Sequence, residues 1–366
     1  MCLRGNIRKS ELEVRKLKKI IALLMIAAVC LSFSACTDNS EDTQNTSVPE
    51  TTVQVATTYP NEDITSYPAV ENETITTPFS KDYVDDFFAI TGEIVVGGLS
   101  SELPFDEEHC FNVTPKDVAE QTDFEIFKFS LSDASFIMFE NKVYQLCASF
   151  GGYGFFNAVP CDFDNDGNLD LLVASSWGSG LHRSEISVFN SQTKESTVIF
   201  SSATTEEPSV DLTVSKSLDN DMSVYTVHTI DIKSDMNSDD DNSVSLTYSV
   251  CDVYGTVKAI DDIPVFLHTE PQSFSYAEDS SYWIEGEVGM KTKGFKNTTE
   301  QQIQNAEDAI ALAKNEVTVP FNLIFVNYDK ENSIWKVSFG MDKQLGGNQN
   351  VYLNSNGTTK MCIWEE

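Results

Sequence analysis

Residues 162–170 read Asp-Phe-Asp-Asn-Asp-Gly-Asn-Leu-Asp. Carboxylates therefore occupy loop positions one, three, five and nine, and Gly167 occupies position six. A hard cation such as calcium takes about six to eight oxygen ligands at short range. Alternate residues of a tight loop aim Asp162, Asp164 and Asp166 at one point, and Gly167 permits the sharp backbone turn. Asn168 offers its backbone carbonyl, and Asp170 closes the ring directly or through water. Four carboxylates this close repel one another, which favours a cation among them. The alternative is an Asp/Asn/Gly turn with no ion.

Other residues carry weaker signals. Trp177, His182 and Arg183 at the end of a strand form a candidate binding patch, with structural packing as the competing reading. Ser179 and His182 lack a Gly-x-Ser-x-Gly elbow and a third orienting group, so hydrolase chemistry there is disfavoured. His109 and Cys110 are a lone pair in a polar loop. His228 and His268 lie in strand patterns. The Asp-rich stretch from Asp235 to Asp241 has neither glycine nor regular alternation, and it reads as a solvated hairpin loop. No phosphate-binding loop or dinucleotide fingerprint is present.

The elements that must position these residues are mostly strands. Phe124 to Ser130 (FEIFKFS) alternates apolar and polar residues, and Ser135–Phe139 and Val143–Ser149 flank Asn141 as a hairpin. Leu169–Trp177, Glu185–Phe189 and Thr197–Ser201 follow, with further strands expected over 210–215, 224–232, 244–253 and 263–268. Thr114-Pro115-Lys116-Asp117 predicts a short helix capped by Thr114. From Thr299 to Val317, Ile303, Ala306, Ile310 and Ala313 recur at helical spacing, and Pro320 stops the pattern. Four more strand segments follow, separated by turns at 329–332 and 356–357. The expected fold is mainly β with a smaller α+β domain: an antiparallel propeller-like or sandwich β domain, then a helix-plus-meander unit.

An EF-hand shares the first half of the Asp pattern, but its position twelve here is Val173, and strands rather than helices flank the loop. The longer string GGYGFFNAVPCDFDNDGNLDLLVASSWGSG instead resembles the FG-GAP or VCBS repeat of integrin-type β-propellers, over residues 149–202. That resemblance implies an Asp-rich loop joining two strands of a blade and binding calcium. No second Asp-rich loop of this kind is visible, so one blade is all that it covers. The string extended to Phe189 also resembles a segment recurring in proteins of Gram-positive bacteria. The helical AEDAIALAKNEV, the strand IWKVSF and the NVYLNSNG turn resemble PepSY-type and cystatin-like units, over residues 298–366.

At the N-terminus, Arg15, Lys16, Lys18 and Lys19 precede an apolar run from Ile20 to Phe33, then Ser34, Ala35 and Cys36. This layout resembles a bacterial lipoprotein signal peptide, which implies lipidation of Cys36 and cleavage after residue 35. The run is shorter than a good spanning helix needs. Residues 36–80, rich in Thr, Ser, Asn, Glu and Pro, bury too little apolar surface to offset their ordering entropy and read as a disordered stalk. Residues 81–290 form the β-rich domain.

The 366-residue chain carries a formal charge of −33, deepened once a leader with seven Lys or Arg against two Glu is removed. Such a charge repels nucleic acid and anionic head groups, and it suits cations and basic partners. Five cysteines follow Cys36, an odd number, and no pair has Cys-x-x-Cys spacing, which excludes zinc-ribbon and thioredoxin readings. Together these features predict a lipid-anchored protein on the outer face of the cell membrane, of non-catalytic binding type, with one structural calcium loop. Its partner is an unknown extracellular protein or glycan. The alternatives are a secreted hydrolase acting on envelope or extracellular polymers, and a peptidase-inhibitory module.

Overall fold

The computed structural model describes residues 73–91, 106–130, 132–147, 151–178, 183–202, 210–233, 245–270, 272–273, 283–284, 287–288, 290–291, 301–344 and 346–365. The leader, Cys36, most of the expected stalk, Ser179, His182 and the Asp235–Asp241 stretch lie outside them.

The described chain is mainly β, and its strands come in consecutive antiparallel meanders. The first comprises β2 (Cys110–Asn112), β3 (Glu125–Phe129), β4 (Ser132–Phe139) and β5 (Lys142–Gln145), hydrogen-bonded in that order. The second is β6 (Gly154–Cys161), β7 (Asp170–Trp177), β8 (Arg183–Asn190) and β9 (Glu195–Ser201). The third is β10 (Leu212–Asp219), β11 (Met222–Ile232), β12 (Thr247–Ile260) and β13 (Ile263–His268). The strand β1 (Thr74–Thr76) pairs with the free edge of β12, beside β13. The last meander is β18 (Leu323–Asp329), β19 (Ile334–Gly340), β20 (Gln349–Asn354) and β21 (Thr359–Trp364). Two short strands extend it: β14 (Gln272–Ser273) runs parallel to β18, and β17 (Met290–Lys291) pairs with β21. A separate ribbon joins β15 (Trp283–Ile284) and β16 (Glu287–Val288).

Two-residue turns explain much of this pattern. Glu140-Asn141, Asn220-Asp221 and Asp261-Asp262 all have positive φ, between 49° and 66°. Turns of that conformation match the right-handed twist of paired strands and favour Asn and Asp.

The meanders stack face to face. In β3, Ile126 faces the second meander, in a core with Leu171, Val173 and Phe189. Phe127 and Phe129 face the other way, onto Phe87 of α1 (Val84–Thr91). Phe87 is fully buried, its ring 4.4 Å from that of Phe127; burying such a side chain stabilises by roughly 1.5–3 kcal/mol. β7 shows the same two-sidedness. Leu171 and Val173 join the first core, while Leu172 and Ala174 join a second core with Val214, Val227 and Val257 of the third meander. That is why the run is continuously apolar rather than alternating. Val265 and Leu267 of β13 then pack with the last meander and its helix α3 (Ala306–Ala313). Among the described residues no core cluster joins the last meander to the first. The layers form a sandwich-like stack, not a closed ring.

Several expectations shift. Thr74–Thr76, expected in the stalk, is a strand, and the Thr77 N–H donates to the Leu246 carbonyl at 2.9 Å. A short Thr/Ile segment needs little apolar surface when an open sheet edge supplies its hydrogen bonds. The helix α2 (Lys116–Gln121) has Pro115, not Thr114, at its N-cap. The Thr114 hydroxyl instead donates to Asn112 Oδ1 at 2.6 Å and lies 3.0 Å from Glu125 Oε2, in a buried network. α3 is shorter than its periodicity predicts. The side chain of Asn305 accepts from the Asp308 N–H at 2.9 Å and starts the helix there, leaving Ile303 before it. The β-rich and C-terminal segments also share a sheet through β14 and β17.

Candidate metal centre

The Asp-rich loop, residues 162–169, is the connection between β6 and β7. Cys161 and Asp170 face each other across its neck. Phe163 anchors it: the side chain is buried, with its ring 4.8 Å from that of Tyr225 in β11. Asn165 (φ 55°) and Gly167 (φ 83°) then bend the backbone back on itself. At Gly167 an added Cβ would meet open space, so the glycine serves the turn and not close packing.

This folding brings carboxylate oxygens of Asp162, Asp164 and Asp166 within 4.8 Å of one another. Local hydrogen bonds fix them. Asp164 Oδ1 accepts from the Asp166 N–H (3.3 Å), Asp162 Oδ2 from the Gly167 N–H (3.3 Å) and Asp166 Oδ1 from the Asn168 N–H (2.7 Å). Asp162 Oδ1 is different. It is buried and has no hydrogen-bond partner. A buried acceptor left unmatched costs about 1–3 kcal/mol, more when charged.

Asp170 lies beside this group with its oxygens turned to the β8–β9 hairpin. Oδ1 accepts from the Ser191 N–H at 2.6 Å and Oδ2 from the Asn190 side-chain amide at 3.0 Å. The same amide is 3.4 Å from Asp164 Oδ2, so Asn190 bridges the two acids. Burial pushes the Asp170 carboxyl above its ordinary range. Hydrogen bonds from Ser191 oppose this, and the charges of Asp164 and Asp166 add to it. Asn168 contributes its N–H to the Asp166 bond, and its side chain is exposed. On the other flank, the Asn165 amide donates to Asp262 of the β12–β13 turn at 3.3 Å.

The donor set is all oxygen and anionic. Cys161 adjoins the loop, but burial, and then the charge of Asp170, push its thiol well above the ordinary value, so it stays protonated. Oxygen-only donors with an unmatched buried carboxylate oxygen suit a hard divalent cation, not zinc or copper. Asn190, Ser191 and Asp262 had no sequence signal near the loop. Asn190 alone offered a hint, as a turn residue closing an apolar strand.

The remaining candidates separate cleanly. Trp177 and Arg183 are cross-strand partners, the guanidinium 5.1 Å from the indole centre. His109 Nδ1 lies 2.7 Å from Asp106 Oδ1, while Cys110 is buried and its thiol is pushed up to about 12, chiefly by desolvation. Ser215 Oγ and His228 Nε2 are 3.0 Å apart, but His228 Nδ1 has no partner to orient the ring. Family models, curated proteins and solved structures give no match to this chain.

Proposed function

We propose that this chain is a lipid-anchored, outward-facing surface protein of non-catalytic binding type, in which the Asp162–Asp170 loop holds a structural calcium ion. The observation carrying the metal reading is the convergence of Asp162, Asp164 and Asp166 within 4.8 Å, with Asp162 Oδ1 buried and unmatched. Calcium is preferred over magnesium because three loop carboxylates, with carbonyl and water oxygens to complete the shell, can supply its larger and more irregular coordination. Asp162, Asp164 and Asp166 would hold the ion. Asp170 would position Asn190 and the neck of the loop. A bound ion would brace three hairpins at once: the loop itself, the β8–β9 turn and the β12–β13 turn. The anchor rests on the basic-apolar-small pattern ending at Cys36.

Thermal melts of the folded chain with added calcium test the metal. Binding to the native state alone must raise the midpoint. An Asp164→Ala, Asp166→Ala variant should lose that rise, and a variant keeping all of it would remove the site. Mass spectrometry of the native product tests the anchor. An acylated Cys36 at the new N-terminus is expected, and an intact leader or an unmodified soluble product would refute it.

A further inference from the structure

The face of the second meander that meets the first changes character along its strands. Under the first meander it is apolar, built from Leu171, Val173 and Phe189. Side chains two apart share a face. Ser175 therefore continues the row of Leu171 and Val173, and Ser187 and Glu185 continue that of Phe189. These polar residues floor a groove of about 460 Å³. Tyr144 and Gln145 of the edge strand β5 stand on one side, and Ser196 and Val198 of the edge strand β9 on the other.

We propose that this groove binds a neutral, hydroxyl-rich oligosaccharide, which names a ligand class for the surface-binding function above and rests on that reading. The floor is recessed yet polar: Ser175 and Ser187 are only 3% and 4% exposed. Ser196 Oγ is buried with no hydrogen-bond partner, so a ligand hydroxyl that completes it recovers a desolvation cost. Glu185 supplies an acceptor between the serines, with Ser201 Oγ 3.4 Å from its Oε1. Burial pushes this carboxyl above its ordinary range, and hydrogen bonding from Ser201 opposes the rise. Tyr144 supplies an aromatic wall, its ring 5.9 Å from that of Phe189.

Charge decides against anionic ligands. The lysines at the rim are already paired, Lys343 with Glu195 at 3.0 Å and Lys194 with Glu140 at 2.9 Å. An anion would also meet a chain of formal charge −33. A wholly apolar ligand would leave the floor's polar groups unmatched. The volume lies within the ~300–1,000 Å³ usual for small-molecule clefts. An extended peptide would use the β5 edge for main-chain hydrogen bonds and needs side-chain sockets; this floor offers hydroxyls and a carboxylate instead.

The test is calorimetric titration of the full chain with short neutral oligosaccharides of hexoses and N-acetylhexosamines, with product analysis of each mixture. One sugar class should bind. Tyr144→Ala, and separately Ser187→Val with Ser196→Val, should weaken it at least ~10-fold, a loss of about 1.4 kcal/mol. The melting midpoint of each variant, measured alongside, must stay near that of the parent. Absence of binding across the panel, affinity indifferent to both variants, or preference for an extended peptide would overturn the proposal. A calcium-dependent melt without sugar binding sinks the groove alone. Sugar binding with released products upholds the groove and sinks the non-catalytic reading.

Discussion

Replacing Asp164 and Asp166 with Asn should have opposite effects on stability with and without calcium. The amides keep the acceptor oxygens that take the Asp166 and Asn168 N–H groups, so the turn's hydrogen bonds survive. What is lost is charge. Carboxylate oxygens of three acids lie within 4.8 Å of one another. At that spacing each charge pair repels by ~0.9 kcal/mol under full water screening, so the three pairs sum to about 2–3 kcal/mol at low salt. Neutralising two acids removes all three pairs. In chelator the double variant should therefore be more stable than the parent by about 1–3 kcal/mol, the lower figure applying as salt screens the loop. In calcium the order should invert. An ion at one thousand times its dissociation constant stabilises the parent by about 4.1 kcal/mol and the variant not at all, which exceeds the whole chelator difference. Differential scanning calorimetry in chelator and in calcium reads both arms, at roughly 2 °C per kcal/mol for a chain of this size. A variant less stable than the parent in chelator, or one with an undiminished calcium shift, would refute the reasoning.

Other consequences can be checked independently. Burial holds His228 below its ordinary 6.5; the unfolded chain then takes up its proton first as the pH falls. Its stabilising contribution is present above that value and lost on acidification toward the lowered folded value, so urea midpoints should fall over that window and fall less in His228→Gln. Gly152 has φ 78° and a Cβ there would lie 2.6 Å from the Trp177 Cα. Gly152→Ala should exceed the ~1–3 kcal/mol cost of a strained φ, while Gly167→Ala, which faces open space, should stay within that range in chelator. Denaturant titration compares the two directly. Cys147 is buried and its thiol is pushed up to about 12, chiefly by burial, whereas Cys251 is partly exposed. Brief native alkylation should label Cys251 before Cys110, Cys147, Cys161 or Cys362, as read by peptide mass mapping.

Alternation and turn chemistry made most strands readable. FEIFKFS became β3 because its two sets of apolar residues serve two separate cores, Ile126 inward and Phe127 and Phe129 under α1. Asn141 marked a hairpin because Asn tolerates positive φ. The DFDNDGNLD run announced its own clustering, since its acids lie close in sequence. The bridging role of Asn190 did not, because it depends on the β8–β9 turn folding back over the loop. Nor was the groove legible: Ser175, Glu185, Ser187 and Ser196 are ordinary strand residues until the first meander covers only part of their sheet. The capping role expected of Thr114 failed for a related reason, since Glu125 and Asn112 arrive from other elements and claim its hydroxyl.

The placement of Thr74–Thr76 on the edge of β12 has a mechanical corollary. Tension arriving from the N-terminal side reaches the third layer through the short pairing of residues 73–77 with the edge of β12 before it loads the first. Those pairs would release early, sparing the buried interfaces behind them. The strand is thus a clasp that yields first, and pulling a single molecule by its N-terminus should show a small early extension ahead of any cooperative rupture.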